Sequence, residues 1–120
     1  MRAVRALRGH RGVARAGGAT VAVGGARALP DSGGHFFEPT VLTGVTPDMM
    51  CFQEETFGPV CNLVPFSSEV QALDIANATE YGLAAYAYTS NLGRAWRVAE
   101  KLEYGIVGIN EPGVTSEVAP

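Results

Sequence analysis

The chain predicts an α/β fold built on a parallel sheet. Three apolar runs, Val60 to Phe66, Leu83 to Thr89 and Ile106 to Ile109, alternate with two stretches of helical periodicity. Short turns join them. A strand–helix–strand–helix–strand order with such turns implies right-handed crossovers and parallel pairing. Three strands and two helices leave a sheet face or edge uncovered, so the pattern is that of a partial sheet belonging to something larger.

Each element has a local cause. Gly24-Gly25 and Ser32-Gly33-Gly34 punctuate loops. Phe36 to Val45 reads as extended, with Pro39 tolerated only at an edge or bulge. Thr46-Pro47-Asp48 opens a turn, and Asp48 to Met50 forms a short helical turn. Val60 to Phe66 is apolar enough for a buried strand. Ser67 to Tyr81 reads as a helix: Ser68 caps it, and Gln71 completes a capping box. Val70, Leu73 and Ala76 share one face. Gly82 ends the helix as a left-handed C-terminal residue. After the strand Leu83 to Thr89, Ser90 or Asn91 caps a second helix with the apolar stripe Leu92, Ala95, Trp96, Ala99 and Leu102. Gly105 ends it in the same way. Trp96 lies on that stripe and reads as a packing residue, not a ring that stacks on a ligand. The tail from Glu111 to Pro120 has no periodicity and reads as loop.

Composition removes several function classes. A chain of 120 residues buries one modest core. With 47% hydrophobic and 18% charged residues it is not a disordered chain. No apolar stretch approaches the ~20 residues that a membrane-spanning helix needs. Cys51 and Cys61 form no disulfide framework, and no Cys/His spacing suggests a metal site. Both read as buried or half-buried reduced thiols of a cytosolic protein, so the chain reads as cytoplasmic.

The run Glu54-Glu55-Thr56-Phe57-Gly58-Pro59 is the most informative stretch. A carboxylate accepts hydrogen bonds from a sugar diol, and a ring two residues later lies on the same side of an extended chain, where it covers a flat heterocycle. That pairing suits a nucleotide cofactor. The alternative is a solvated acidic turn.

The flanking sequence resembles a known family. Phe36-Phe37-Glu38-Pro39-Thr40-Val41-Leu42, Val45-Thr46-Pro47-Asp48-Met49-Met50, and Gln53 to Pro59 are similar to the late catalytic-domain segment of the aldehyde dehydrogenase superfamily. The likeness continues through Ala72 to Asn77, Tyr81 to Tyr86 and Gly105 to Asn110. It covers residues 17–120, and Gly108 to Pro120 looks most like the succinate-semialdehyde dehydrogenase branch. The resemblance implies a fragment of a catalytic domain that uses NAD or NADP and oxidises succinate semialdehyde to succinate. It also implies a homo-oligomer at full length, with a small aldehyde as partner and neither nucleic acid nor membrane.

Residues 1–16 form a basic, poorly family-like segment. Residues 1–30 carry six arginines and no acid, whereas residues 31–120 carry all twelve acids against Arg94, Arg97 and Lys101. A transit-type presequence, a nucleic-acid arm and the damaged start of a family helix compete for this end. The lack of Ser before Ser32 counts against the first, and the lack of an aromatic before Phe36 against the second. Val13 to Val21 looks like a family helix entering its strand, which favours the third.

The chemistry of the family needs a cysteine nucleophile, oxyanion donors, a nicotinamide and a base that activates water. In the family the nucleophile lies in a Gly-Gln-x-Cys context, which this sequence lacks. Cys51 sits in apolar Met50-Cys51-Phe52, a setting that raises a thiol pKa. Cys61 has no basic neighbour in sequence. No residue is therefore assigned a catalytic role, and the isolated chain is expected to be inactive. His10 and His35 read as surface or loop histidines, and no Ser/His/Asp order suggests a triad.

Three residues carry binding expectations by resemblance. Glu55 would accept from the hydroxyls of the nicotinamide ribose. Phe57 would pack beside the nicotinamide end. Thr115 occupies the position of a serine that contacts the substrate carboxylate. Arg94 and Arg97 are expected to face solvent, and Asn110 to orient loop backbone. The alternative function is a non-catalytic module that pairs with a dehydrogenase subunit through an open sheet edge.

Overall fold

The structure, a computed structural model, describes residues 17–114. The basic N-terminal segment, the start of the helix expected from Val13, and Thr115 lie outside the described residues. The chain divides into two compact units, one ending at Pro65 and one beginning at Phe66.

The first unit is a three-stranded mixed sheet. β1 (Thr20–Val23) pairs antiparallel with β2 (Thr40–Thr43), matching Val21 to Leu42, with a register irregularity between Val21 and Val23. β2 pairs parallel with β3 (Val60–Asn62), matching Val41 to Cys61. Its core is Ala19, Leu42, Val45, Met49 and Cys51, with Val21, Phe52, Val60 and Val64 packed around it. Alternation puts Leu42 inward, where it and Val45 are completely buried. Thr40 is the buried polar residue here, and its hydroxyl accepts from the Gly25 N–H and donates to the Glu38 carbonyl, both at 2.8 Å. Gly24 adopts φ +66°, and a Cβ there would collide with the Pro39 carbonyl. Both facts require glycine.

The second unit is two-stranded. α2 (Glu69–Asn77), β4 (Ala84–Ala87), α3 (Leu92–Lys101) and β5 (Ile106–Ile109) follow in order, after the short α1 (Met50–Gln53) of the first unit. β4 and β5 are parallel, matching Tyr86 to Gly108. The α/β class and the parallel crossover expected from sequence are present.

Two capping expectations hold in detail. The Ser68 hydroxyl accepts from the Gln71 N–H at 3.1 Å, and the Asn91 side chain accepts from the Arg94 N–H at 2.8 Å. Gln71 reaches back one residue further than the box expects, accepting from the Ser67 N–H at 2.7 Å.

Other expectations need correction. The run Val60 to Phe66 is a strand for only three residues, Cys61 is exposed, and the strand pairs with β2 instead of joining β4 and β5. The Leu63 N–H donates to Leu42 and Pro65 has no N–H to extend the ladder, so pairing runs out. The helices end at Asn77 and Lys101, and neither Gly82 nor Gly105 takes a positive φ. These glycines open the β4–β5 ladder instead: the Gly105 N–H donates to the Gly82 carbonyl at 2.8 Å. A Cβ on Gly82 would lie 3.3 Å from the Glu103 carbonyl oxygen, so close backbone approach is what the glycine permits. Trp96 is 64% exposed, as Leu92 and Val70 also are for the most part. The half-buried residues of α3 and its C-cap are Ala95, Val98, Ala99 and Leu102, so three residues of the expected stripe face inward and Leu92 and Trp96 do not.

Candidate functional site

The segment holding Glu55 and Phe57 is tied down at both ends. At its start, α1 closes with the Glu54 N–H donating to Met50 at 2.9 Å, and Glu54 turns to extended backbone. At its end, the Pro59 carbonyl accepts from the Thr40 N–H and the Gly58 carbonyl from the Val60 N–H, both at 2.8 Å. Between these anchors the chain is irregular, Glu55 is exposed, and Phe57 is 78% exposed. Glu55 makes no hydrogen bond or ion pair with another described residue, so its carboxylate lone pairs are free to accept. An apolar groove of about 380 Å³ opens at the next residues, with Gly58, Pro59, Val60 and Cys61 on one side and Val23 and Val41 among the others. Neither Glu55 nor Phe57 lines it. Thr115 is outside the described residues, so it is not brought together with them.

The two thiols have different surroundings. Cys51 is buried at 3% exposure, and burial pushes its thiol above the usual range, as its apolar neighbours predict. Its backbone carbonyl accepts from the Asn62 side chain at 2.6 Å, which fixes α1 against β3. Cys61 is an exposed thiol on β3. His35 is exposed in the loop before β2.

In the second unit the structure reveals an ion cluster that sequence reasoning missed. Glu69, in the first turn of α2, accepts from Arg97 Nε and Nη2 at 2.8 Å and from Arg94 Nε at 3.2 Å. The Arg97 fork, with Arg94 behind it, holds the Glu69 carboxyl down to about 2 against the opposing effect of desolvation. The same bond raises Arg97 above its ordinary value. Both arginine side chains remain about half exposed, so they face solvent as expected and are also engaged. Glu69 and Arg94 of this cluster line a cavity of about 540 Å³ together with Leu73, Tyr86, Val98 and Leu102.

Asn110 is the other feature. It stands at the end of β5 with φ +56°. Its side chain accepts from the Thr89 N–H at 2.8 Å and donates to the Thr89 carbonyl at 2.9 Å. The one sequence signal for it was an Asn, which tolerates the left-handed region, directly before Glu111-Pro112-Gly113.

The described residues thus form a parallel α/β crossover unit and, before it, an acid–ring segment anchored at both ends. A sequence model of the aldehyde dehydrogenase family matches residues 2–120, and the chain belongs to that family. Mitochondrial succinate-semialdehyde dehydrogenase of Rattus norvegicus is 50% identical over 119 residues, covering 99% of this chain and 22% of that protein. The 3-sulfolactaldehyde dehydrogenase of Pseudomonas putida is 51% identical over 119 residues, covering 98% of this chain and 24% of that one. The crystal structure of succinate-semialdehyde dehydrogenase from Burkholderia pseudomallei superposes with a TM-score of 0.92 at 53% identity, covering all of this chain and 24% of its own. The chain thus spans about a quarter of the length of the relatives it matches.

Proposed function

We propose that this chain supplies the nicotinamide-ribose contact of an NAD(P)-dependent aldehyde dehydrogenase acting on succinate semialdehyde. The observation that carries this reading is the exposed Glu55 carboxylate, without a partner among the described residues, two residues from the uncovered Phe57 ring, on a segment anchored at both ends. Those residues fit the group. An ionised carboxylate accepts from a diol, with charged hydrogen bonds worth about 1.5–3 kcal/mol each. An uncovered ring offers apolar area beside a flat heterocycle. When bound, the nicotinamide would take hydride from the substrate carbon. The protein's own part is to hold that ring in register, where small displacements are costly.

Thr115 is proposed to offer its hydroxyl to the substrate carboxylate. Its methyl group narrows the fit relative to serine. Neither thiol is assigned as nucleophile: Cys51 is buried with a raised pKa, and Cys61 has no described basic partner. The nucleophile and base are assigned to other family polypeptide, in a cytoplasmic homo-oligomer.

Purified chain supplied with succinate semialdehyde and NAD⁺ or NADP⁺ is expected to produce no reduced cofactor. Co-expression with a family polypeptide carrying the Gly-Gln-x-Cys segment is expected to restore turnover. Turnover by the chain alone, abolished by Cys51→Ser or Cys61→Ser, would overturn the assignment.

A second reading, a non-catalytic module that pairs with a dehydrogenase subunit, is favoured by one observation. Among the described residues, the second unit has a sheet of two strands and exposes Leu83, Leu92 and Trp96. Co-purification with a dehydrogenase subunit whose turnover is indifferent to Glu55→Ala would select it.

A further inference from the structure

We propose that Asn110 is a positioning residue, whose side chain clasps Thr89 and thereby fixes the loop from Asn110 to Val114. The inference rests on the proposed function for its meaning, but its structural half stands alone.

Three contacts converge on this loop. Asn110 holds the Thr89 backbone through both its amide atoms, and its own N–H donates to the Ala87 carbonyl at 2.9 Å. The side chain thus continues the β4–β5 ladder by one further pair while its main chain turns away. The Tyr88 hydroxyl donates to the Glu111 carbonyl at 3.1 Å, tying the next residue to the adjoining strand end. Val114 then folds back over Gly108: a Cβ at Gly108 would sit 2.7 Å from the Val114 methyl and 3.0 Å from the Tyr86 ring. Gly108 is buried, so the space that its missing side chain leaves is filled by Val114 and Tyr86. The main chain is therefore caught at three successive points between Asn110 and Val114, the residue before Thr115.

The left-handed backbone alone does not account for Asn110. Glycine adopts φ +56° more readily than asparagine, so a purely conformational role would be served as well or better by Gly. Both polar atoms of the amide are instead paired with one residue on the neighbouring strand. Loss of both bonds corresponds to roughly tenfold or more easier local opening.

Amide exchange and methyl spectra of the 120-residue chain test the clasp. In Asn110→Ala and in Asn110→Gly the Thr89 amide is expected to exchange about tenfold faster. The Val114 methyl signals are expected to lose the ring-current shift that Tyr86 gives them. Ladder amides such as Ile106 should stay protected. Recovery of wild-type behaviour in Asn110→Gly would overturn the inference, because the backbone angle would then be the whole role. Unchanged Thr89 exchange in both variants would overturn it as well. In the co-expressed complex, Asn110→Gly should raise the KM for aldehyde while leaving that for cofactor unchanged, and an equal rise in both would count against positioning. A wild-type complex without turnover would defeat the proposed function and leave the exchange result standing.

Discussion

The Glu69 carboxylate takes both prongs of the Arg97 guanidinium, Nε on one oxygen and Nη2 on the other, each at 2.8 Å. The two residues are 28 positions apart, and the fork ties the start of α2 to the middle of α3. Bidentate geometry makes such a pair more specific than a surface contact of two mobile chains.

Acid should loosen the second unit through this carboxylate. Its folded pKa of about 2 lies below the ordinary glutamate value. A depressed folded pKa means stability that is complete above the unfolded value and lost as pH falls through the folded one. The Glu69 contribution is therefore full at pH 7 and declines between about pH 4.5 and about pH 2. Urea unfolding of wild type and Glu69→Gln at pH 7 and pH 3 checks this. Wild type should lose more stability than the variant over that interval.

The thiols should separate cleanly under a thiol reagent. Access favours the exposed Cys61, whereas Cys51 is buried and carries a raised pKa. One equivalent should react quickly at neutral pH and the second only after denaturation. Cys61→Ser should abolish the fast equivalent and Cys51→Ser should leave it. A fast phase that survives Cys61→Ser would show Cys51 to be accessible.

Leu42 anchors the first unit at 1% exposure, where it meets Val45, Met49 and Cys51 in the core. Leu42→Ala should cost about 2–5 kcal/mol, the transfer term plus a cavity that rigid neighbours fill incompletely. Denaturant titration followed by amide exchange within β2 reads the loss. A cost below about 1 kcal/mol would mean that the site collapses around the smaller residue.

What was legible in the sequence was local. Ser68 and Asn91 cap their helices because each bond spans three residues, and residue type alone identifies such caps. The strands ending in Ala87 and Ile109 were legible because apolar runs and short turns fix a crossover unit. Pairing was not. Val60 to Phe66 looked like a third member of that sheet, but its strand, Val60–Asn62, pairs with Thr40–Thr43 within the first unit, a choice that depends on long-range register. Gly82 and Gly105 were misread as helix ends for the same reason: their close approach to one another is a contact between distant segments. The Glu69–Arg97 fork was invisible because nothing along one helix names its partner on the next. At the candidate site, Glu55 and Phe57 stood out by residue type and order, whereas the clasp of Asn110 on Thr89 needs the strand pairing to be known.

Glu55 is the residue on which the cofactor assignment turns. Its carboxylate is exposed and uncommitted to any other described residue, so removing it should leave the fold of the first unit intact. In the co-expressed complex, Glu55→Ala should lower kcat/KM for the nicotinamide cofactor by roughly 10- to 100-fold, the equivalent of about one charged hydrogen bond. Glu55→Gln keeps one acceptor oxygen and should fall between. Phe57→Leu preserves apolar bulk but not the flat ring, and should weaken cofactor binding less than Phe57→Ala. The KM for aldehyde should stay nearly constant through all four variants, because the contact concerns the ribose and not the substrate. Cofactor kinetics indifferent to Glu55→Ala, in a complex that turns over, would move the ribose contact to another residue and leave this segment a solvated turn.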